Sequence, residues 1–460
     1  MKRTFGTAIA LGLVSTLAVA CASEADEGLA FTPSSAPQAS DDHAAVAQRA
    51  VEDVTAYWDE TYPEVYGEGF EPVAGFYPYG PDTESPPCGS PPPRYEEIAD
   101  NAFYCPGDDI IAWDEAVLMP ALNEDFGAFT VAIVIAHEFG HAIQDRFVTF
   151  DRSVDLELQA DCFAGSWTAR VAAGEAQGFE PGDVDLDKTV AGMLAIRDLP
   201  GSDPNDMYAH GSGFDRVSAF QDGYENGAEQ CATYADENVE RTVAQFEFDR
   251  EAEEDVTGGN LPLEDGPEGE GVYTAIERDL DEFYAWLMDE LGAEWTPIDE
   301  LVVVDPDRDE VTCGGDTLSG DELRRISVWC QDENVAVFDG SDLADDLYGF
   351  GDFAVASELA QIWAVAAQSQ LGVADHNQAD LQADCLTGLW AASTFPGVED
   401  VKPESQIVIS GGDLDEAIQG FLAYSSGPEE QTRTVFDRTS ALRNGVFEGI
   451  GGCERYAPLG

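Results

Sequence analysis

Residues 129–144, FTVAIVIAHEFGHAIQ, recur without a gap at 353–368 as FAVASELAQIWAVAAQ. The pairing places Phe353 on Phe129, Val355 on Val131, Ala360 on Ala136 and Gln368 on Gln144. His137, Glu138 and His141 become Gln361, Ile362 and Val365. The repeat extends to both sides. Ile110–Asp114 matches Val335–Asp339, Leu158-Gln159-Ala160-Asp161-Cys162 matches Leu381-Gln382-Ala383-Asp384-Cys385, and Phe214-Asp215-Arg216 matches Phe436-Asp437-Arg438. Two copies are too few for a solenoid, so each is expected to close on its own core. The chain thus carries an internal control: what both copies keep serves the fold, and what one copy loses serves chemistry.

Each copy reads as an opening helix, a disulfide-pinned loop, a short strand, a long apolar helix, a second helix with the Ala-Asp-Cys signature and a helical end. The expected fold class is α+β, mostly helical, in two tandem homologous domains. Domain one spans 45–250, an acidic Gly/Pro linker 251–271, and a degenerate domain two 272–460.

Residues 1–20 read as a signal peptide: Lys2 and Arg3 precede an apolar stretch too short to span a membrane comfortably. The segment ends Leu17-Ala18-Val19-Ala20-Cys21. Small residues before a cysteine resemble a bacterial lipobox, which implies a lipid anchor through Cys21 and a place on the outer, extracytoplasmic face of the cell membrane. The alternative is ordinary cleavage after Ala20. Residues 21–44 then form an acidic, Pro/Ser-rich tether.

Without Cys21, eight of the nine cysteines remain, an even number in an exported chain. Their spacings repeat between copies, which points to Cys88–Cys105, Cys162–Cys231, Cys313–Cys330 and Cys385–Cys453. The net charge of −71 repels phosphates and anionic headgroups and so argues against nucleic acid and direct lipid-surface partners. It suits a soluble monomer, whether from a salt-rich habitat or simply acidic and secreted.

His137 and His141 stand at i and i+4, on one helix face, at the separation one metal ion can bridge. Glu138, beside them, is placed to serve as general base toward a water. The alternative is a buried helix with two satisfied histidines. A catalytic zinc needs a third protein ligand and an open position. A histidine six residues past His141 would serve, but that residue is Phe147. Glu157 is therefore expected as third ligand, with Asp161, again at i+4, orienting a ligand histidine. Against this stands a solvated acidic face, in a chain with 92 Asp and Glu. In the second copy Glu157 becomes Asp380, while Asp161 persists as Asp384 and so also carries a structural reading. His210 falls at Thr432 in the alignment; it is either a donor to the oxyanion of a tetrahedral intermediate or a loop histidine.

Three blocks in order, HEFGHAIQ, ELQADCFAGSW from Glu157, and HGSGFDRVSAFQDGYENG from His210, resemble the bacterial putative neutral zinc metallopeptidase family. The resemblance covers about Tyr79 to Tyr234. It implies a zincin-like fold, one zinc ion per chain and hydrolysis of protein or peptide substrates, and nothing about which. It does not extend to a metal site in the second copy. That copy is expected to pack on the first as an intramolecular pseudo-dimer that covers or extends the substrate cleft, rather than swing on a flexible linker. The competing reading is a non-enzymatic surface protein that uses two zincin-like folds to bind a partner.

Overall fold

The computed structural model describes residues 42–147, 153–199, 202, 209–235, 261–267, 269–374, 376–395, 407, 410, 412–424 and 433–459. The signal peptide, Cys21 and nearly all of the tether lie outside the described residues. No helix among those described is long and apolar enough to cross a membrane.

The first half runs α1 (His43–Tyr66), β1 (Gly75–Tyr79), α2 (Tyr95–Ile98), β2 (Ala102–Cys105), β3 (Ile110–Asp114), α3 (Leu118–Asp125), α4 (Ala128–Phe147), α5 (Ser153–Ala172), α6 (Leu186–Ala195) and α7 (Gly213–Ala232). The second runs α8 (Val272–Glu290), β4 (Glu300–Val304), β5 (Glu310–Cys313), β6 (Asp316–Ser319), β7 (Ser327–Cys330), β8 (Val335–Asp339), α9 (Asp342–Tyr348), α10 (Asp352–Leu371), α11 (Ala379–Ser393), α12 (Asp413–Tyr424) and α13 (Val435–Cys453). The fold is the mostly helical α+β arrangement expected. The strand read from sequence in each copy is the central one of a three-stranded sheet. β1 pairs parallel and β2 antiparallel with β3, in the order β1-β3-β2. β4 and β7 pair with β8 in the same way, and among the described residues only the second half adds a hairpin, β5–β6.

Both halves build their cores alike. Phe129 stacks on Trp167 at 5.6 Å, and Phe353 on Trp390 at 5.5 Å. Both indoles are fully buried, so each N–H needs an acceptor. Trp167 donates to Asp53 and Trp390 to Asp279, each at 2.8 Å. Disulfides join Cys88 to Cys105, Cys162 to Cys231, Cys313 to Cys330 and Cys385 to Cys453. Helices α5 and α7 cross in contact at glycines. A Cβ on Gly165 would meet the Phe220 carbonyl at 1.9 Å, and one on Gly223 the Cys162 carbonyl at 1.8 Å.

α1 begins at His43, capped by the Asp42 carboxylate. The described part of the linker is not free chain. The Leu261 N–H donates to Asp352, its carbonyl accepts from the Tyr348 hydroxyl, and Leu261 and Leu263 pack on the core. Both side chains are half-buried, and that burial offsets part of the backbone freedom lost.

The halves touch through α6 and α7 on one side and α12 and α13 on the other. Phe214 stacks on Phe447, and Tyr224 meets Phe436 edge-on. Gln221 donates to the Phe436 carbonyl at 2.9 Å, and Arg443 pairs with Glu225 at 3.1 Å.

Candidate metal centre

α4 is apolar on nearly every face, and from Phe129 to Gln144 every residue is buried. Two imidazoles in such a helix must find polar partners. Each does so through Nδ1. His137 Nδ1 lies 2.8 Å from Asp161 Oδ1, and His141 Nδ1 lies 2.9 Å from Gln144 Oε1. Both partners are acceptors, which assigns the ring proton to Nδ1 and leaves the lone pair on Nε2. The two Nε2 atoms face each other at 3.1 Å.

α5 closes the site. It approaches α4 so tightly that a Cβ on Gly140 would sit 2.6 Å from the Ala160 Cα. The glycine of the HEFGH block therefore lets the second helix bring up its carboxylate; the second half has Ala364 in that place. Glu157 is fully buried, and its two oxygens stand 3.2 Å from His137 Nε2 and 3.4 Å from His141 Nε2. Neither oxygen receives a hydrogen bond of good geometry. Ligand atoms of His137, His141 and Glu157 all lie within 4.8 Å of one another and could hold a metal ion. Two imidazole lone pairs and a carboxylate pointed at one spot repel unless a cation occupies it. Two nitrogens and an oxygen suit zinc.

The electrostatics keep all three in donor form. Burial pulls His141 down to about 4, so its imidazole is neutral at pH 7. Burial alone would raise Glu157, but His141 and His137 outweigh it and hold the carboxyl well below its usual range. Asp161 follows the same rule: burial raises it, and Arg216 and His137 bring it below normal.

Arg216, which the sequence reading left among retained fold residues, joins the site. Its guanidinium, fully buried, grips Asp161 through Nε at 2.7 Å and Nη2 at 3.0 Å. A chain of contacts therefore runs from Arg216 through Asp161 to His137. Its repeat is Arg438 on Asp384, Nη2 to Oδ1 at 2.9 Å. The acid thus serves structure in both halves and orients a histidine in one. Gln144 was also missed: its amide oxygen holds His141 while its nitrogen donates to the Leu156 carbonyl, tying α4 to the start of α5.

His210 is half-buried and close enough for its charge to act on Glu157. Its N–H and that of Gly211 both donate to Asp198 Oδ2 at 2.8 Å, and its Nδ1 faces Asp198 Oδ1 at 3.3 Å. Glu138 is buried on α4 next to His137, and its charge acts on Tyr79 at the end of β1.

The second half fills the equivalent space differently. Val365 is exposed, and Asp380 is bound by the Arg433 guanidinium at 2.8 Å. A fixed cation from the chain balances the carboxylate there. Thr432 lies outside the described residues.

A second group of acids, Asp352, Asp413 and Glu416, also lies within 4.8 Å. It sits where the first half has Ala128, Asp185 and Lys188, whose ammonium pairs with Asp185 at 3.2 Å. With Glu416 in place of the lysine, burial and then the neighbouring carboxylates push Asp413 up to about 7 and Glu416 up to about 10. The protonated cluster favours the fold. That contribution is whole below about pH 4, the ordinary carboxylate range, and drains away as pH rises through the two raised values. Glu416→Lys is therefore expected to gain on the wild type in thermal melts as pH climbs, by on the order of 2 kcal/mol at the top of the range. A difference independent of pH would contradict this.

Residues 7–234 match the family described as "Putative neutral zinc metallopeptidase". The chain is 31% identical over 160 residues to "Uncharacterized protein Rv2575" of Mycobacterium tuberculosis (strain ATCC 25618 / H37Rv), covering 29% of this chain and 55% of that one. It is 32% identical over 161 residues to "Uncharacterized protein YpfJ" of Escherichia coli (strain K12), covering 29% and 53%. The chain thus spans about half the length of the curated relatives it matches. No solved structure matches it.

Proposed function

We propose that this chain, whose residues 7–234 belong to the putative neutral zinc metallopeptidase family, hydrolyses peptide bonds at a zinc held by His137, His141 and Glu157, and that its second half holds no zinc. One observation carries the reading: two imidazole Nε2 atoms and an unsatisfied buried carboxylate converge on one point, while both Nδ1 atoms are already engaged.

Bound there, zinc supplies Lewis acidity toward a carbonyl oxygen and acidifies a water. The chain's own residues do the rest. Asp161 and Gln144 hold the two rings in the tautomer that exposes Nε2. Glu138 accepts the proton of the attacking water at its carboxylate and returns it to the amine as the C–N bond breaks. His210, steadied by Asp198, stabilises the oxyanion formed from the carbonyl.

We place the mature protein on the outer face of the bacterial membrane, anchored by a lipid on Cys21. The Leu17–Cys21 segment supports this, as do four disulfides, which belong to an oxidising compartment. Its substrate is a protein or peptide, and the second half acts as a fixed, catalytically silent partner.

A peptide library incubated with the zinc-loaded protein tests the function. Cleavage is expected, abolished by chelation and restored by zinc. A zinc-loaded protein that cleaves no peptide, yet captures one, would favour the reading as a binding protein.

A further inference from the structure

We infer that Asp415, a carboxylate from the second half, is a positioning residue for the His210 segment of the first; this rests on the peptidase reading of that site. Asp415 lies on α12 and is 2% exposed. It reaches across the interface to two pieces of first-half chain. Its Oδ2 lies 3.0 Å from Arg197 Nε and accepts the Gly213 N–H at 3.0 Å, and its Oδ1 accepts the Phe214 N–H at 2.6 Å.

Those pieces bracket the His210–Asp198 pair. Arg197 directly precedes Asp198, whose carboxylate holds the His210 and Gly211 N–H groups. Gly213 and Phe214 open α7 just after His210. A helix start leaves its first N–H groups without intrahelical partners, and a carboxylate is favoured there. Ser212 satisfies the Asp215 N–H, and Asp415 satisfies the two before it. Two residues past Phe214 stands Arg216, which holds Asp161. The same clamp therefore fixes the origin of both arms that reach the metal site. Gly213 makes room for it: a Cβ there would lie 3.1 Å from the Asp415 Cγ and 2.3 Å from Leu194.

The fold provides a matched control. Asp187 occupies the same place in its Asp-Leu-Asp run, Asp185-Leu186-Asp187 against Asp413-Leu414-Asp415. It crosses the interface the other way and accepts the Phe436 N–H at 3.0 Å, at the start of α13. The two halves thus exchange carboxylates reciprocally. Only one of the two ends on chemistry, because the second half has no histidine pair.

The test compares Asp415→Asn and Asp187→Asn in the full chain, each checked for zinc content. Asp415→Asn is expected to lower kcat by roughly 10–100-fold with KM changed less than about threefold. Hydrogen exchange of the His210, Gly211 and Phe214 amides should quicken in the same variant. Asp187→Asn should quicken exchange at Phe436 and leave both kcat and the His210 amides at wild-type values. An unchanged kcat in Asp415→Asn, or an equal fall in both variants, would overturn the proposal. If Asp415→Asn does not fold, Arg197→Gln removes one arm of the clamp and is held to the same outcomes. A wild-type protein that cleaves nothing defeats the peptidase reading instead, and the exchange comparison still decides whether Asp415 holds the His210 segment.

Discussion

Glu138→Gln is expected to leave the metal in place and to remove turnover. The carboxylate belongs to none of the three groups that converge on the metal position, so zinc content stays at the wild-type value. Glutamine has nearly the same shape and fits the same buried place on α4. What it cannot do is accept a proton at pH 7. Loss of a general base slows a reaction by roughly 10²–10⁴-fold. The loss should fall on kcat, with KM nearly unchanged, because the interaction is made in the transition state and not in the bound substrate. Steady-state kinetics beside a metal assay check both halves of the statement. A variant within about threefold of wild-type kcat would remove Glu138 from the mechanism.

Arg216→Met is expected to destabilise the first half strongly. Arg216 and Asp161 are both buried, and two guanidinium nitrogens hold the carboxylate. Taking away the guanidinium leaves Asp161 as a buried charge with His137 as its remaining side-chain partner among the described residues. Breaking one side of a buried pair costs about 3–5 kcal/mol. His137 then loses its fixed orientation, and zinc affinity should fall by roughly 10–100-fold. Replacing both partners, with Asp161→Asn added, removes the stranded charge and should recover part of the stability. Denaturant unfolding of the two single variants and the double variant forms the cycle that measures the coupling. A loss under about 1 kcal/mol in Arg216→Met would mean that the pair does not act as a buried support.

How much of this was legible depended on whether a feature is local. His137, His141, Glu157 and Asp161 were legible because helix periodicity alone puts i and i+4 on one face, and because the second copy drops both histidines. The disulfides were legible because their spacings are duplicated. Arg216 was in view but looked structural, since Arg438 repeats it; its reach to the metal site appears only when α7 packs on α5. Gln144 was masked in the same way by Gln368, which ties α10 to α11 through the Ala379 carbonyl as Gln144 ties α4 to α5. Asp198 gave no signal at all. It is one acid in a chain with 92, and only its hydrogen bond from the His210 N–H marks it out. β1 carries a weak strand signal because Gly75–Tyr79 contains Pro78, a residue that argues against a strand except at an edge, and an edge is where it lies. The seat of the second half on the first lies in groups more than 200 residues apart, the Gly213 N–H with Asp415 and the Ser440 hydroxyl with Glu225.

The most direct test of the account is the zinc content of the purified full chain after zinc loading and exhaustive dialysis, measured with His137→Ala and His141→Ala beside the wild type. One zinc per chain is expected in the wild type and none in either variant, with no remaining zinc attributable to the second half. Zinc retained in His137→Ala, or a second equivalent in the wild type, would contradict a single centre built from His137, His141 and Glu157.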